Sequence, residues 1–327
     1  MQALKTFAEW GNKCYFAPLM QFKMPLLNVS KISKQRVGSF QLKEISLVLE
    51  QSQRLALVGE TGSGKSTMLK IIAGLEEPNT GKVELNGTVV KGPSETLVAG
   101  HPQIAYLPQY FELQKFLRVE QVLEYSNHLS ATQARNLFRY CRINHLLARK
   151  TDELSGGERQ RIALCWLLIS KPQVLLLDEP FSNLDRIMKQ TLKEVLADVE
   201  QKLSLTIILV SHDPLDTLPW AHWMMVLKNG KLVQQGVPSK LYERPKNEYV
   251  AAMLGDYSVH GKSKAITRPE DWRIEKNKNG NATVTAIQLM GCYHVVQVKK
   301  GSDSIHVYAK GTKFKIGDKV KLTLTQP

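Results

Sequence analysis

The residues best suited to chemistry lie at 59–67, which read GETGSGKST. Gly59 is followed after four residues by Gly64, Lys65 and Ser66, directly behind the apolar run RLALV and ahead of a helix-like segment. In that context the spacing describes a loop whose backbone curls around phosphate. The glycines Gly59, Gly62 and Gly64 let the N–H groups of Glu60, Thr61, Ser63 and their neighbours point at one anion, and the helix from Ser66 through Thr67 adds the positive end of its dipole. Lys65 supplies a point charge for the β- and γ-phosphate oxygens of a nucleotide. The Ser66 hydroxyl is suited to Mg²⁺.

A second cluster ends the apolar segment VLLLDE at 174–179. Asp178 is placed to hold Mg²⁺, directly or through water, and Glu179 to act as general base for an attacking water. Alone, an Asp-Glu pair after a strand often only opens a solvated loop. Beside a phosphate loop it gains meaning.

These residues need rigid elements behind them. RLALVG is apolar throughout, as a strand buried on both faces requires. Residues 66–73 read as a helix stopped at Gly74. Residues 26–50 alternate like strands, KVELNGTVV turns at Asn86-Gly87, and IAYLPQ is a short strand. Residues 117–149 have helical periodicity and many charges. A helix through IALCWLLIS, the strand QVLLLDEP, a helix over 186–202, the strand LTIILVSH and the pair MMVLKNGKLVQQG follow. Strands and helices alternate, which predicts an α/β unit on a mostly parallel sheet over 24–255, with a helical part at 110–153. From 256 to 327 the pattern changes to short strands broken by Gly and Asn, with thirteen Lys/Arg against six Asp/Glu, a net charge of +7. That predicts a small all-β, barrel-like second unit.

The whole chain of 327 residues carries +14 formal charge, which suits anionic partners without choosing among nucleotide, nucleic acid and acidic membrane. No apolar run reaches the roughly 18 residues that a membrane span needs, so a soluble or peripheral chain is expected. The four cysteines (Cys14, Cys141, Cys165 and Cys292) form no CxxC pair, which argues against zinc and for a reducing compartment. Cys165 reads as a core residue. Residues 1–23 lack the apolar segment of a signal peptide. The folded pattern begins after Met24, so 1–23 read as a loose tail or as lying before the native start.

LSGGERQ at 154–160 adds the decisive motif. With the phosphate loop, Gln109 in YLPQ, Leu175–Pro180, the run Ser182-Asn183-Leu184-Asp185, and Ser211-His212-Asp213, six motifs stand in one order. In this the chain resembles the nucleotide-binding subunits of ATP-binding-cassette (ABC) transporters over residues 26–255. The resemblance implies a P-loop NTPase fold of the ABC type, with a mixed, mostly parallel sheet plus antiparallel β and helical subdomains. It implies ATP and Mg²⁺ as cofactors, with Ser66, Gln109 and Asp178 at the metal. It also implies a homodimer or pseudo-homodimer sandwiching two ATP molecules. The N–H groups of Ser155, Gly156 and Gly157 then reach the partner's γ-phosphate and Asp185 lines the interface, while Gln109 contacts Mg²⁺ and the attacking water and His212 holds the γ-phosphate and the base in register. The family stacks adenine on an aromatic residue ahead of the phosphate loop. Here that stretch reads KQRVGSF, with Arg36 or Val37 at the place and Phe40 the nearest aromatic, so how adenine is held stays open.

ITRPED at 266–271 and GDKVKL at 317–322 resemble the small OB-like barrel (TOBE) appended to importer ATPases for sugars, sulfate, molybdate, ferric iron and polyamines. The expected role is the energy-coupling ATPase of a multi-chain importer, peripheral on the cytoplasmic face of the membrane. Its partners would be permease subunits and, indirectly, an extracytoplasmic substrate-binding protein. The Gln109 loop and residues 110–153 would receive the permease, with Phe111, Leu113, Phe116 and Leu117 as contacts or as core. The alternative is a non-transport ATPase of the same superfamily acting on ribosomes or DNA. One phosphate loop, and fewer than about 100 residues between it and the signature with no sustained heptads, argue against that, and no nucleic acid is expected. The substrate is not legible.

Overall fold

The computed structural model describes residues 25–35, 41–311 and 313–325. The tail at 1–23, the suspected start at Met24 and the adenine candidates Arg36, Val37 and Phe40 all lie outside the described residues.

Seventeen strands and eight α-helices make up the described chain. Four strands, β1 (Leu27–Gln35), β2 (Gln41–Leu49), β4 (Thr80–Leu85) and β5 (Thr88–Val89), pair antiparallel in the order β2-β1-β4-β5. The β4–β5 turn falls at Asn86-Gly87, where both residues take left-handed backbone angles, as a tight hairpin demands. A six-stranded sheet uses β3 (Arg54–Val58), β6 (Ile104–Leu107), β7 (Val174–Asp178), β8 (Thr206–Val210), β9 (Trp223–Lys228) and β10 (Lys231–Gly236), ordered β10-β9-β3-β8-β7-β6. All of its pairings are parallel except β10 on β9.

The continuous apolar run of β7 has a direct cause. Val174 and Leu176 join the core shared with α1 (Lys65–Ile72) and the antiparallel sheet, whereas Leu175 and Leu177 join the core of the opposite face. Side chains alternate across a strand, so a sheet covered on both faces must be apolar at every position. The opposite face carries α2 (Val119–Glu124), α3 (Ala131–Tyr140), α4 (Gly156–Leu168) and α5 (Arg186–Leu203). Cys141 and Cys165 are fully buried there, and burial pushes the Cys165 thiol up, as a core residue requires.

The helical stretch is shorter than periodicity suggested. Arg118 bridges Lys150 in extended form, and Asn127 Oδ1 accepts the Leu129 N–H at 2.9 Å, breaking the helix before Ser130 caps α3. Short α6 (Pro214–Thr217) follows β8, and α7 (Pro238–Glu243) and α8 (Glu248–Leu254) pack on β9 and β3.

The remaining strands are β11 (Ser258–His260), β12 (Ala265–Thr267), β13 (Trp272–Lys276), β14 (Ala282–Leu289), β15 (His294–Lys300), β16 (Asp303–Ala309) and β17 (Lys319–Leu324). The last five form an antiparallel sheet in the order β13-β17-β14-β15-β16, curled so that β13 also meets β16 around one core. The sequence pattern did not reveal β11, β12 or β13, because Pro269 and the charges of TRPED mask their alternation. Arg268 anchors this unit to α8. Its guanidinium is buried and donates to the carbonyls of Tyr242 (3.1 Å), Ala251 (3.0 Å), Gly255 (3.1 Å) and Asp256 (3.0 Å).

Candidate functional site

The loop at 59–67 leaves the end of β3 and enters α1. A Cβ at Gly59 would sit 2.4 Å from the Leu227 carbonyl, so only glycine lets the loop press against β9. Gly64, which precedes the helix, has φ 104°, a left-handed angle that a side chain would strain. The loop is braced from outside its own motif. Gly230 N donates to the Ser63 carbonyl at 3.0 Å, and the Tyr249 hydroxyl of α8 accepts from Glu60 N at 3.0 Å while donating to the Leu227 carbonyl at 2.8 Å.

Lys65 is only 6 % exposed. Its ammonium folds back into the loop, donating to the carbonyls of Gly59 (2.7 Å) and Glu60 (2.8 Å) and approaching Ser63 Oγ at 3.4 Å. Burial lowers its pKa, and the carboxylates of Glu179, Asp178 and Glu60 pull the other way. The phosphate loop and the Asp178–Glu179 pair are therefore electrostatic neighbours, although 113 positions separate Lys65 from Asp178 in the chain.

Asp178 ends β7 and is buried, and its Oδ2 accepts from the Tyr106 hydroxyl of β6 at 3.0 Å. Burial and Asp178 together raise the Tyr106 pKa far above its ordinary value, so the hydroxyl stays a donor. Glu179 has φ 51°, a left-handed conformation for a residue with a side chain, and its N–H is held by the Val210 carbonyl at 3.1 Å. Two groups converge on its Oε2: Gln109 Nε2 donates at 3.2 Å, and His212 Nδ1 stands at 3.5 Å. A cleft of about 370 Å³ is lined by Gln109, Tyr110, Glu179, Asn183 and His212 among others.

Mg²⁺ fits this donor set. The described residues contain no cluster of three acidic, His or Cys groups able to cage a metal. A hard cation that shares phosphate and water oxygens needs only one or two protein oxygens. Asp178, which acts electrostatically on Lys65, and the exposed Ser66, next to Lys65 in the chain, offer such oxygens.

The signature residues sit elsewhere. Ser155 caps α4 in a reciprocal box: its Oγ accepts from Glu158 N at 3.3 Å, and its own N–H donates to Glu158 Oε2 at 2.8 Å. The expectation of three free N–H groups is thereby narrowed, because Ser155 N–H is taken and Gly156 and Gly157 remain. A Cβ on Gly156 would meet nothing within 4 Å, whereas one on Gly157 would strike Met188 Sδ at 2.8 Å. Among the described residues no hydrogen bond or ion pair joins Ser155–Gly157 to the phosphate loop. Asp185 caps α5, accepting from Met188 N at 2.8 Å, and is exposed beside the exposed Ile187.

Of the expected permease contacts, Leu113 is core and Phe111 and Leu117 pack partly against it, with Phe111 lying 5.9 Å from the Trp166 ring. Phe116 stands out at 75 % exposed with φ 65°, and Tyr110 is 77 % exposed. Sequence reading missed Tyr106 and Tyr249. Both sit in motif flanks that carry no spacing signal of their own.

Comparison with known proteins agrees with this geometry. The family model described as "ABC transporter" matches residues 42–182. The Fe(3+) ions import ATP-binding protein FbpC 2 of Pectobacterium atrosepticum is 35 % identical over 238 residues, 71 % of this chain and 68 % of that one. The sulfate/thiosulfate import ATP-binding protein CysA of a Synechocystis strain is 32 % identical over 260 residues, 77 % of this chain and 72 % of that one. Among solved structures, cbiO1 from Clostridium perfringens, part of the ABC transporter complex cbiONQ, superposes with a TM-score of 0.61 at 24 % identity, covering 67 % of this chain and 91 % of that one, which shows the shared fold. No helix among the described residues is long and apolar enough to cross a membrane. The chain belongs to the ABC transporter family and is an ATP-binding, ATP-hydrolysing subunit of its import branch.

Proposed function

We propose that two copies of this chain close head to tail over two ATP molecules and so drive transport through separate permease subunits. The observation that supports this reading is that the phosphate-loop residues and the signature residues lie in separate parts of one copy. Lys65, Asp178 and Glu179 are electrostatic neighbours at the phosphate loop, while Gly156 and Gly157 open α4 behind the Ser155 cap, at the end of a helix where N–H groups lack intrahelical partners. A helix N-terminus with unpaired donors suits a γ-phosphate from the partner.

Within one half, residues 59–67 wrap the phosphates. Lys65 exchanges its loop carbonyls for the β/γ oxygens. Ser66, Gln109 and Asp178 would hold Mg²⁺, which would neutralise charge on those oxygens. Glu179 takes the proton of the attacking water, oriented by Gln109 from one side and by His212 from the other. Asp185 lines the interface. Residues 24–255 form the ATPase unit with its helical part at 110–153, and 256–327 form the appended TOBE-like unit. Exposed Tyr110 and Phe116 support docking of a permease segment on the loop after Gln109. In this reading the protein works on the cytoplasmic membrane face, with an extracytoplasmic binding protein upstream of the permease. The relatives' names span Fe(3+) ions, sulfate or thiosulfate, glucose and sn-glycerol-3-phosphate, so they favour no one cargo.

Mixing inactive Lys65→Ala subunits with inactive Ser155→Arg subunits tests the composite site. One intact site per mixed dimer restores turnover to a quarter or so of wild type. No recovery at any ratio would overturn the shared site.

A further inference from the structure

Beneath the Ser211–Asp213 turn lies a charged knot that no motif announces. Asp216, on α6, is 3 % exposed. Its Oδ2 accepts from Ser211 Oγ at 2.9 Å, and its Oδ1 lies 2.7 Å from Lys189 Nζ and 2.8 Å from Lys193 Nζ. Lys189 also donates to Asp213 Oδ2 at 2.6 Å, and Ser211 Oγ accepts from Asp213 N at 3.2 Å. Two carboxylates and two ammoniums thus balance in one packed group. Lys189 and Lys193 stand one turn apart on the same face of α5, whose cap is Asp185.

The knot matters because of what it encloses. His212 sits in the backbone between Ser211 and Asp213, and its own ring is 69 % exposed. Little packing holds that ring, so its approach to Glu179 depends on the turn beneath it. Removing one partner of a buried ion group leaves uncompensated charge and forces the turn to rearrange.

We propose that Asp216 is a positioning residue for hydrolysis: its carboxylate ties Lys189 and Lys193 of α5 to the Ser211–Asp213 turn, so that Asp185 at the start of α5 and His212 on the turn move as one body. Closure at the dimer interface is thereby transmitted to the ring facing Glu179. The proposal rests on the roles given above to His212 and Glu179.

The test is a double-mutant cycle on the full chain with Asp216→Asn and His212→Ala. Asn keeps the shape and the Ser211 bond but drops the charge. With rates corrected for the folded fraction, Asp216→Asn lowers kcat about tenfold or more while KM for ATP stays within about twofold, since misplacement of a positioned group costs rate before binding. In the His212→Ala background the same change costs almost nothing further. Should Asp216→Asn fail to fold, Lys193→Met, at a half-exposed position, carries the cycle with a smaller loss of the same kind. An additive cycle, or unchanged kcat per folded molecule, overturns the proposal and leaves the His212 reading standing. If His212→Ala alone keeps wild-type turnover, the reading of His212 fails and the proposal falls with it.

Discussion

Gln109 and Glu179 meet at 3.2 Å, the amide of one donating to the carboxylate of the other, although they lie 70 positions apart. β6 and β7 are parallel neighbours, so residues just past their C-terminal ends are delivered to the same edge of the sheet. The geometry leaves Glu179 Oε2 facing both Gln109 Nε2 and His212 Nδ1.

Replacing Glu179 tests its proposed role as base. Glu179→Gln keeps size and hydrogen bonding but cannot accept a proton. Turnover falls at least about a hundredfold, whereas ATP still binds and an ATP-bound dimer accumulates. Gel filtration with ATP and a phosphate-release assay check both halves, and turnover within about threefold of wild type would remove Glu179 from the reaction.

Tyr106 orients Asp178 from behind at 3.0 Å. Tyr106→Phe deletes only that donor. Outer partners of a metal-holding carboxylate typically tune metal affinity about tenfold or more, so the Mg²⁺ concentration for half-maximal ATPase rises by about that factor while saturated turnover changes little. An unchanged Mg²⁺ titration would separate Asp178 from the metal.

The Ser155–Glu158 box predicts acid sensitivity of the signature helix. The Ser155 N–H donated to its carboxylate holds Glu158 below the ordinary value of 4.5 against the pull of burial, with Arg149 and Arg161 assisting. A depressed folded-state pKa contributes stability that is present above the unfolded value and lost as pH falls through the folded one. Melting temperature should therefore drop more for wild type than for Glu158→Gln between about pH 6 and about pH 3, because Gln keeps the box without titrating. Parallel curves would show that the box does not respond to pH.

Arg268 seals the carbonyl end of α8 with three hydrogen bonds, to Ala251, Gly255 and Asp256, adds a fourth to Tyr242 of α7, and lies 4.1 Å over the Tyr242 ring. Those carbonyls have no helical partner of their own. Arg268→Ala leaves them buried and unpaired, at a cost of about 3 kcal/mol in denaturant unfolding, and Arg268→Lys recovers only part, because an ammonium lacks the planar fork. A loss below about 0.5 kcal/mol would mean that water or other donors fill the gap.

Much of the molecule was legible from residues alone. The phosphate loop, the apolar run of β7, the Asn86-Gly87 hairpin and the cap at Ser155 are local: spacing and residue type dictate backbone angles within a few positions, and nothing distant is needed to read them. The helical stretch after Leu117 and the strands β11, β12 and β13 were not, since Asn127, Pro269 and the flanking charges override periodicity through hydrogen bonds that the pattern does not display. What the sequence determined by itself was which groups could bind phosphate and move a proton. Only the tertiary structure decided that Tyr106 backs Asp178, that Tyr249 braces the loop, and that Asp216 stands between Lys189 and Lys193. Each of these is a meeting between separate elements, fixed by strand order and packing, and none leaves a trace in the spacing of neighbours.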